Sequence, residues 1–167
     1  MFTNQIVSHK NIDTAVMERV IILKQCAWPY PKDSQMKWIR ANLKDNDLHV
    51  ILKEDDKDVA YLNLCDVHCE INNIYVKCWG IGNVCSSIKG KGYGKKLMEY
   101  TNEWLMKNNQ IGLLFCHESV AEFYAKCGWL LTNADICDIE GITSEILTYV
   151  YNLPCPVFSL NYRDRLF

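Results

Sequence analysis

Three glycines and four lysines stand directly before an amphipathic helix pattern in the segment SIKGKGYGKKLMEY, residues 87–100. The first amide groups of a helix have no hydrogen-bond partner inside the helix, and the helix dipole places partial positive charge there. Glycine has no Cβ, so it leaves the main chain open to an approaching anion. The segment therefore predicts a turn that binds phosphate or pyrophosphate. A solvated basic turn without a ligand is the alternative.

This turn differs from two common nucleotide-binding motifs. It lacks the GxxxxGK[ST] spacing of a P-loop, and neither an acidic residue nor a βαβ unit follows it as in a dinucleotide-binding fold. The chain carries a net charge of −2, with a sequence pI near 6.1. That charge argues against a general nucleic-acid or anionic-membrane surface, as does the lack of an aromatic stacking platform. The basic turn is therefore a local feature.

Hydrophobic periodicity over the 167 residues predicts one domain, residues 1–167, of the α/β (α+β) class. We expect a mixed, mostly antiparallel sheet of about six to seven strands with helices on both faces. The expected strands are 2–9, 47–54, 59–71, 74–86, 111–117, 129–132 and 144–153. The expected helices start at Asn11 or Asp13, near Met36, at Gly92 and at a Ser119–Glu122 capping box. Asn72 and Asn73 predict a two-residue hairpin turn, and Gly128 predicts the end of the last helix.

The cysteines and the apolar runs indicate the compartment. Nine cysteines is an odd number, and no pair has the CxxC spacing, so we expect free thiols in the cytoplasm. The segment CDVHC, residues 65–69, suggests a metal site, but its alternation fits a strand and no second ligand pair supports zinc. No apolar run approaches the roughly 18 residues of a membrane span. We therefore expect no metal and no membrane association.

Two segments resemble motifs of the GNAT superfamily of N-acetyltransferases. VCSSIKGKGYGKKLM resembles its acyl-CoA motif, in which [QR]-x-x-G-x-[GA] aligns with Lys89 to Gly94. Lysine stands at the usual Gln or Arg position, and Ser86 stands where proline is common. LLFCHESVAEFYAKCGW, residues 113–129, resembles the family's fifth strand and fourth helix. The resemblance implies a single-domain GNAT fold and acetyl-CoA as the acetyl donor.

The resemblance also implies which residues bind acetyl-CoA. In the family the thioester lies along the fourth strand, where a bulge splays it from the fifth. Gly80 and Gly82 would open one face of that strand, and a main-chain N–H near Asn83 or Val84 would polarise the acetyl oxygen. A glycine-rich kink without function is the alternative. The implied acetyl-CoA-binding residues are Asn83, Val84, Cys85, Ser86, Lys89, Gly90, Lys91, Gly92, Tyr93, Gly94, Lys95 and Ser119.

Two residues are candidates for acid and base. Tyr124 matches the tyrosine that protonates the departing thiolate in many family members, although Val120, Phe123, Tyr124 and Cys127 also fit an apolar core stripe. Asp66 is the candidate base for the amine, with a water chain to bulk solvent as the alternative. Cys116 is interpreted as a packing residue, because direct transfer needs no acyl-enzyme.

The acceptor is the least constrained part of the reaction. Trp28, Tyr30 and Trp79 are candidate lining residues of an acceptor pocket, although tryptophan is also common in protein cores. The ending FYAKCGW is similar to aminosugar and aminoglycoside acetyltransferases, but it is shared too widely to choose a substrate. We expect an acetyl-CoA-dependent N-acetyltransferase acting on a primary amine of a small molecule or peptide, as a monomer or homodimer. A non-catalytic acyl-CoA-binding sensor module is the alternative.

Overall fold

The structure is a computed structural model that describes residues 1–143 and 145–167. Within those residues the chain has four α-helices and nine β-strands, more strands than the six to seven predicted. The helices are α1 Thr14–Ala27, α2 Lys32–Asn42, α3 Tyr93–Lys107 and α4 Ala121–Lys126. The strands are β1 Phe2–Ser8, β2 Leu48–Glu54, β3 Lys57–Ile71, β4 Ile74–Ser86, β5 Ile111–His117, β6 Leu130–Leu131, β7 Cys137–Ile139, β8 Ile146–Tyr151 and β9 Leu160–Tyr162. The predicted mixed, mostly antiparallel class is confirmed, with parallel pairing at β4–β5 and β7–β9.

The chain forms two compact units. Unit 1 consists of residues 1–65, 82–101 and 167, and unit 2 consists of residues 66–81 and 102–166. The long strands β3 and β4 and the helix α3 contribute residues to both units. The expectation of a single domain over the whole chain stays a prediction.

The sheet of unit 1 is built from antiparallel neighbours. Strand β1 pairs with β2 along its whole length, and β2 pairs in turn with β3. Asp55 and Asp56 make the turn between β2 and β3 with φ values of 46° and 65°. Helix α1 begins at the second of the two predicted caps, since the Asp13 carboxylate accepts a hydrogen bond from the Val16 amide at 2.8 Å.

A buried polar chain runs through the core of unit 1. His49 is fully buried; its Nδ1 lies 2.9 Å from the Tyr61 hydroxyl, and its Nε2 lies 3.0 Å from Nδ1 of His9. Burial lowers the pKa of His49 to about 4, and the neighbouring His9 adds to that shift. His49 is therefore neutral at physiological pH. The buried apolar residues of unit 1 include Val20, Ile21, Ile39, Ile51, Leu52, Leu62, Leu97 and Met98.

The hairpin between β3 and β4 turns at Asn72 and Asn73, as predicted. Both residues have positive φ, 53° and 63°, which two-residue hairpin turns require and asparagine tolerates. The alternation predicted for CDVHC, residues 65–69, is confirmed, because its two cysteines and the valine are buried while Asp66 and His68 are half-buried. None of the nine cysteines forms a disulfide within the described residues.

The sheet of unit 2 is organised around β5. Residues Cys78–Gly80 of β4 pair with it in parallel, and β8 pairs with it antiparallel. Residue 112 of β5 has room only for glycine, because a Cβ added to Gly112 would lie 2.5 Å from the ring of Trp129. The Trp129 indole N–H donates to the Asn102 side-chain oxygen at 3.0 Å. This packing fixes the start of β5 in unit 2.

Two predicted boundaries change in unit 2. Helix α4 begins at Ala121 with Val120 as its N-cap and no side-chain capping bond, so the predicted capping box at Ser119 is wrong. Ser119 lies instead in a 3₁₀ turn, residues 118–120. Gly128 ends the helix as predicted, with a φ of 83°. The strand predicted over residues 144–153 is observed as Ile146–Tyr151. Ser144 lies outside the described residues.

Candidate active site

The glycine-rich turn adopts a left-handed backbone twice. Gly90 and Gly92 both have a φ of 79°, and a Cβ added to either would meet no atom within 4 Å. The space above the main chain is therefore open on this side. Glycine is needed for the backbone conformation, because L side chains rarely adopt it. Helix α3 begins directly after the turn, with the Lys96 amide donating to the Gly92 carbonyl at 3.0 Å.

The side chains around the turn divide into two groups. Lys89, Lys91 and Lys95 are exposed, so their charges are available to a ligand. Tyr93 points elsewhere, since its hydroxyl donates to a Glu54 oxygen at 2.7 Å. That bond and the Glu54 charge raise the pKa of Tyr93. Among the cofactor residues proposed from the sequence, Tyr93 can thus contribute its main chain while its side chain holds the turn to β2.

A left-handed residue interrupts the far end of β4. Asn83 has a φ of 54° inside the strand, which is typical of a β-bulge. Its side-chain amide donates to the Asn63 oxygen at 2.6 Å, and its own oxygen accepts from Lys24 Nζ at 3.0 Å. The side chain of Asn83 is therefore fixed by two partners within unit 1.

The residues after Asn83 lead into the turn. Val84 and Ser86 are half-buried, and the Ser86 hydroxyl donates to the Ile88 carbonyl at 3.4 Å. Cys85 is buried, and burial raises the pKa of its thiol to about 12. It is therefore a protonated packing residue at neutral pH.

Gly82 provides a close approach, as expected, but residues of this chain occupy it. A Cβ on Gly82 would lie 3.1 Å from the Asn63 side-chain nitrogen and 3.1 Å from the Phe167 carbonyl carbon. The missing side chain makes room for Asn63 and Phe167. Gly80 lies in unit 2, opposite Leu113 of β5.

A cavity of about 400 Å³ in unit 1 contains two of the three predicted acceptor residues, Trp28 and Tyr30. The cavity is also lined by Lys24, Gln35 and Trp38, which the sequence did not predict as site residues. Gln35 is buried and donates to the Trp28 carbonyl at 2.8 Å, which ties α2 to the end of α1. The remaining lining residues are Ser34, Asn83 and Phe167.

The position of Lys24 in the sequence already indicates a buried lysine. It follows Val20 by four positions, which puts a lysine on the apolar stripe of α1. In the structure its side chain is 1% exposed. Burial lowers the pKa of Lys24 to about 8.

Tyr124 lies in unit 2, with its ring half-buried. Its ring contacts Phe123 and Tyr149, with centroid distances of 5.0 and 6.4 Å, and no hydrogen-bond partner of the hydroxyl is found among the described residues. Burial raises the pKa of Tyr124 well above its usual value, and Cys116 and Cys127 add to the shift. Helix α4 has no fully buried residue, and Phe123, Tyr124 and Cys127 of the alternative core stripe are half-buried. A protonated, half-buried phenol with a free donor is able to give a proton.

The other predicted residues of unit 2 have structural partners. Asp66 forms an ion pair with Lys77 at 3.1 Å, and the Lys77 ammonium lies 4.8 Å from the ring centre of Trp79. Trp79 is 7% exposed, and its indole N–H donates to Gln110 at 3.0 Å. Ser119 is exposed, and its amide donates to Nδ1 of His117 at 3.4 Å.

Cys116 is buried at the end of β5 beside Tyr124. Burial raises the pKa of its thiol to about 11. A thiol with so high a pKa is a poor nucleophile at neutral pH. The interpretation as a packing residue is consistent with this environment.

A family model described as the acetyltransferase (GNAT) domain matches residues 9–132 of the sequence. The chain belongs to this GNAT family. The glycine-rich turn, the β4 bulge and Tyr124 all lie within the matched range. GNAT domains use acetyl-CoA and act on amine acceptors, so the family is one of acyl-CoA-dependent acyltransferases.

Solved structures with the same fold cover most of this GNAT chain. ElaA from Escherichia coli is 15% identical, with a TM-score of 0.64 over 90% of this chain and 99% of that one. An acyl-CoA N-acyltransferase from Pseudomonas aeruginosa is 16% identical, with a TM-score of 0.62 and the same coverage. The ribosomal-protein-S18-alanine N-acetyltransferase of Escherichia coli is 16% identical, with a TM-score of 0.60 over 94% and 95%. No curated protein sequence is a significant match to the chain.

The described residues contain neither a candidate membrane-spanning helix nor a candidate metal cluster. None of the helices in residues 1–143 and 145–167 has the length and apolar character of a membrane span. Across the same ranges, no three His, Cys, Asp or Glu side chains gather as a metal site would require.

Proposed function

We propose that this protein transfers the acetyl group of acetyl-CoA to a primary amine of a small molecule or peptide. The observation that carries the proposal is the turn at Gly90 and Gly92, which presents open main chain directly before α3. Three exposed lysines surround that main chain, namely Lys89, Lys91 and Lys95. A pyrophosphate is the ligand that best matches several convergent amides together with this local positive charge.

The thioester is proposed to lie along the end of β4. The left-handed Asn83 re-aims the main chain there, and a main-chain N–H of Asn83 or Val84 would polarise the acetyl oxygen. The amine nitrogen then attacks the carbonyl carbon, a C–N bond forms and the C–S bond breaks. The electron pair of that bond stays on the sulfur of CoA.

Tyr124 is proposed to protonate the departing thiolate. Its raised pKa keeps the phenol protonated at neutral pH, and its hydroxyl has no partner among the described residues. Cys116 supports direct attack rather than an acyl-enzyme, because its thiol is protonated at neutral pH.

The proton that the amine loses goes to a base or to water. Asp66 is the proposed base, and its ion pair with Lys77 occupies one of its oxygens. A chain of waters to bulk solvent remains the alternative acceptor of this proton.

A non-catalytic acyl-CoA sensor is the second candidate function. It would use the same turn but would need no proton donor. The Tyr124 hydroxyl, which has no hydrogen-bond partner among the described residues, favours turnover over sensing.

The proposal includes the cytoplasm as its location. None of the nine cysteines forms a disulfide within the described residues, and Cys26 and Cys155 are exposed, which suits a reducing compartment. We propose that the protein acts as a monomer or homodimer.

Two substitutions at Gly92 test the proposed pyrophosphate site. Asparagine and aspartate have nearly the same size, and both tolerate positive φ better than other side chains. Gly92→Asn and Gly92→Asp therefore differ mainly in charge at one position. We expect acetyl-CoA affinity, measured by calorimetry without an acceptor, to fall much further in Gly92→Asp than in Gly92→Asn. Equal affinities of wild type and both folded variants would contradict the assignment of this turn.

A further inference from the structure

The ammonium of Lys24 is buried, and no acidic partner is found for it in the described part of the chain. Its Nζ donates to the Asn83 side-chain oxygen at 3.0 Å and lies 4.0 Å from the ring centre of Trp38. No carboxylate pairs with it among the described residues, although only 1% of the residue is exposed. Burying a charge is costly unless an opposite charge or hydrogen bonds compensate it. Lys24 therefore has unused capacity to bind an anion.

A relay of side-chain amides fixes the position of this ammonium. The Asn63 amide donates to Cys65 Sγ at 3.1 Å, so its oxygen is the acceptor for the Asn83 amide at 2.6 Å. Asn83 consequently presents its oxygen, not its NH₂ group, to Lys24. The lysine is positioned by β3 and β4 rather than left to move freely in the cavity.

The cavity around Lys24 has a charge opposite to the one usual for an amine-binding site. Its lining side chains include one cation and several neutral polar groups but no Asp or Glu among the described residues. Phe167, the last residue given, also lines it, with its main-chain carboxyl carbon beside Gly82. A polyamine or another multiply charged cation would meet Lys24 without a compensating carboxylate side chain. A ligand with one negative charge would neutralise it.

The walls of the same cavity are aromatic. Trp28, Tyr30 and Trp38 line it, and its volume of about 400 Å³ suits a small molecule. Flat apolar groups pack well against such rings. The neutral amides of Gln35 and Asn83 complete the polar part of the lining.

We propose that this cavity binds the acceptor, and that the acceptor is a small amine bearing a carboxylate and a flat apolar group, with Lys24 pairing with the carboxylate. This inference rests on the proposed function. Its link to the reaction is Asn83, because the residue that holds Lys24 is also the one whose main chain is proposed to face the thioester. Lys24 is thus a specificity-determining residue.

Matched ligands test this inference. Three amines with a benzyl, an indolyl or a branched alkyl body are each used as the free carboxylate and as the carboxamide. Binding is measured by calorimetry with and without CoA, and acetylated product is measured by mass spectrometry with acetyl-CoA. At least one carboxylate should bind wild type about tenfold or more tightly than its amide, since a buried charge pair is worth well over that factor.

Variants assign the preference to Lys24. Lys24→Met should remove it, and Lys24→Arg should keep it. Lys32→Met serves as the control, because Lys32 is an exposed lysine of the neighbouring α2 that pairs with Glu18. If Lys24→Met does not fold, the carboxylate–amide comparison on wild type still decides.

The outcomes separate this inference from the proposed function. Carboxylate-selective binding without acetylated product would support the cavity assignment and contradict the proposed enzyme. Acetylation of carboxylates and amides at equal rates would overturn the inference while leaving the enzyme intact. Binding of none of the six ligands, or acetylation of Lys24 itself, would also overturn it.

Discussion

Lys24 of α1 and Asn83 of β4 are joined by a hydrogen bond of 3.0 Å, in which a buried ammonium donates to a left-handed residue inside a strand. The bond connects the wall of the proposed acceptor cavity with the bulge proposed to face the thioester. It is the only hydrogen bond of the Lys24 ammonium within the described residues. Because burial lowers the pKa of Lys24 to about 8, the charge of this ammonium is sensitive to pH.

The first prediction is that anion binding at Lys24 weakens above neutral pH. The pKa of Lys24 is lowered to about 8, so the ammonium is mostly charged at pH 7 and mostly neutral at pH 9.5. The two nearby titratable groups stay neutral over this range, since the pKa of Cys85 is about 12 and that of His49 about 4. A carboxylate without an amine, such as 3-phenylpropanoate, should bind about tenfold more weakly at the higher pH. Calorimetry of wild type and Lys24→Arg at both pH values measures this change in affinity. The same pH dependence of affinity in both proteins would contradict the prediction.

The second prediction concerns the exposed lysines of the turn. Lys89→Ala and Lys91→Ala should each weaken acetyl-CoA binding only modestly, because one exposed charge contact is worth up to about 1 kcal/mol. Affinity should also fall as salt rises, since screening weakens contacts between exposed charges. Lys107→Ala, at the other end of α3, is the matched control. An affinity that does not depend on salt would indicate that this turn does not bind phosphate.

The third prediction is acid sensitivity caused by His49. The pKa of His49 is about 4 in the folded chain and about 6.5 in an unfolded one, so the unfolded state binds more protons between these values. The free energy of unfolding contributed by neutral His49 is present above pH 6.5 and is lost progressively as the pH falls toward 4. The loss amounts to up to about 3 kcal/mol. His49→Gln cannot charge, so urea unfolding at pH 7 and 4.5 should show a smaller decrease in that variant.

Sequence patterns predicted those caps, turns and helix ends whose conformation depends on a few neighbouring residues. The cap at Asp13, the hairpin turn at Asn72–Asn73 and the helix end at Gly128 each depend on one backbone conformation and one side-chain type. The expected capping box failed for a similar reason, since the Ser119 pattern was correct but the chain completes a 3₁₀ turn before α4 starts. Short strands such as β7 and β9 were missed, because three-residue strands depend on distant partners.

In the candidate site, too, local features were predictable and residues placed by tertiary packing were not. The turn at Gly90 and Gly92 was predictable, because positive φ and glycine go together. The cavity residue Lys24 was not recognised, because a lysine on a helix is usually solvated and only tertiary packing buries this one. Trp79 lies in unit 2 and is held there by Gln110, a contact that no local pattern indicates.

The fourth prediction is a loss of turnover in Tyr124→Phe. The substitution removes one oxygen that has no partner among the described residues and keeps the ring against Phe123 and Tyr149. Stability should change little, whereas kcat should fall by roughly 10²–10⁴-fold if the phenol is the general acid. Acetyl-CoA affinity should stay nearly unchanged, which marks an interaction made mainly in the transition state. Steady-state kinetics beside a thermal melt measure both effects, and a wild-type kcat in the folded variant would make Tyr124 a packing residue.

Acetyl transfer itself is tested most directly by counting both products of one reaction. The protein is incubated with acetyl-CoA and an amine panel that includes the carboxylate-bearing amines above, with Gly92→Asp as the inactive control. Free CoA thiol and acetylated amine are measured in the same sample. We predict equal amounts of the two products with wild type and neither above background with Gly92→Asp. Tight binding of acetyl-CoA without release of thiol for any amine would contradict the account and favour the sensor.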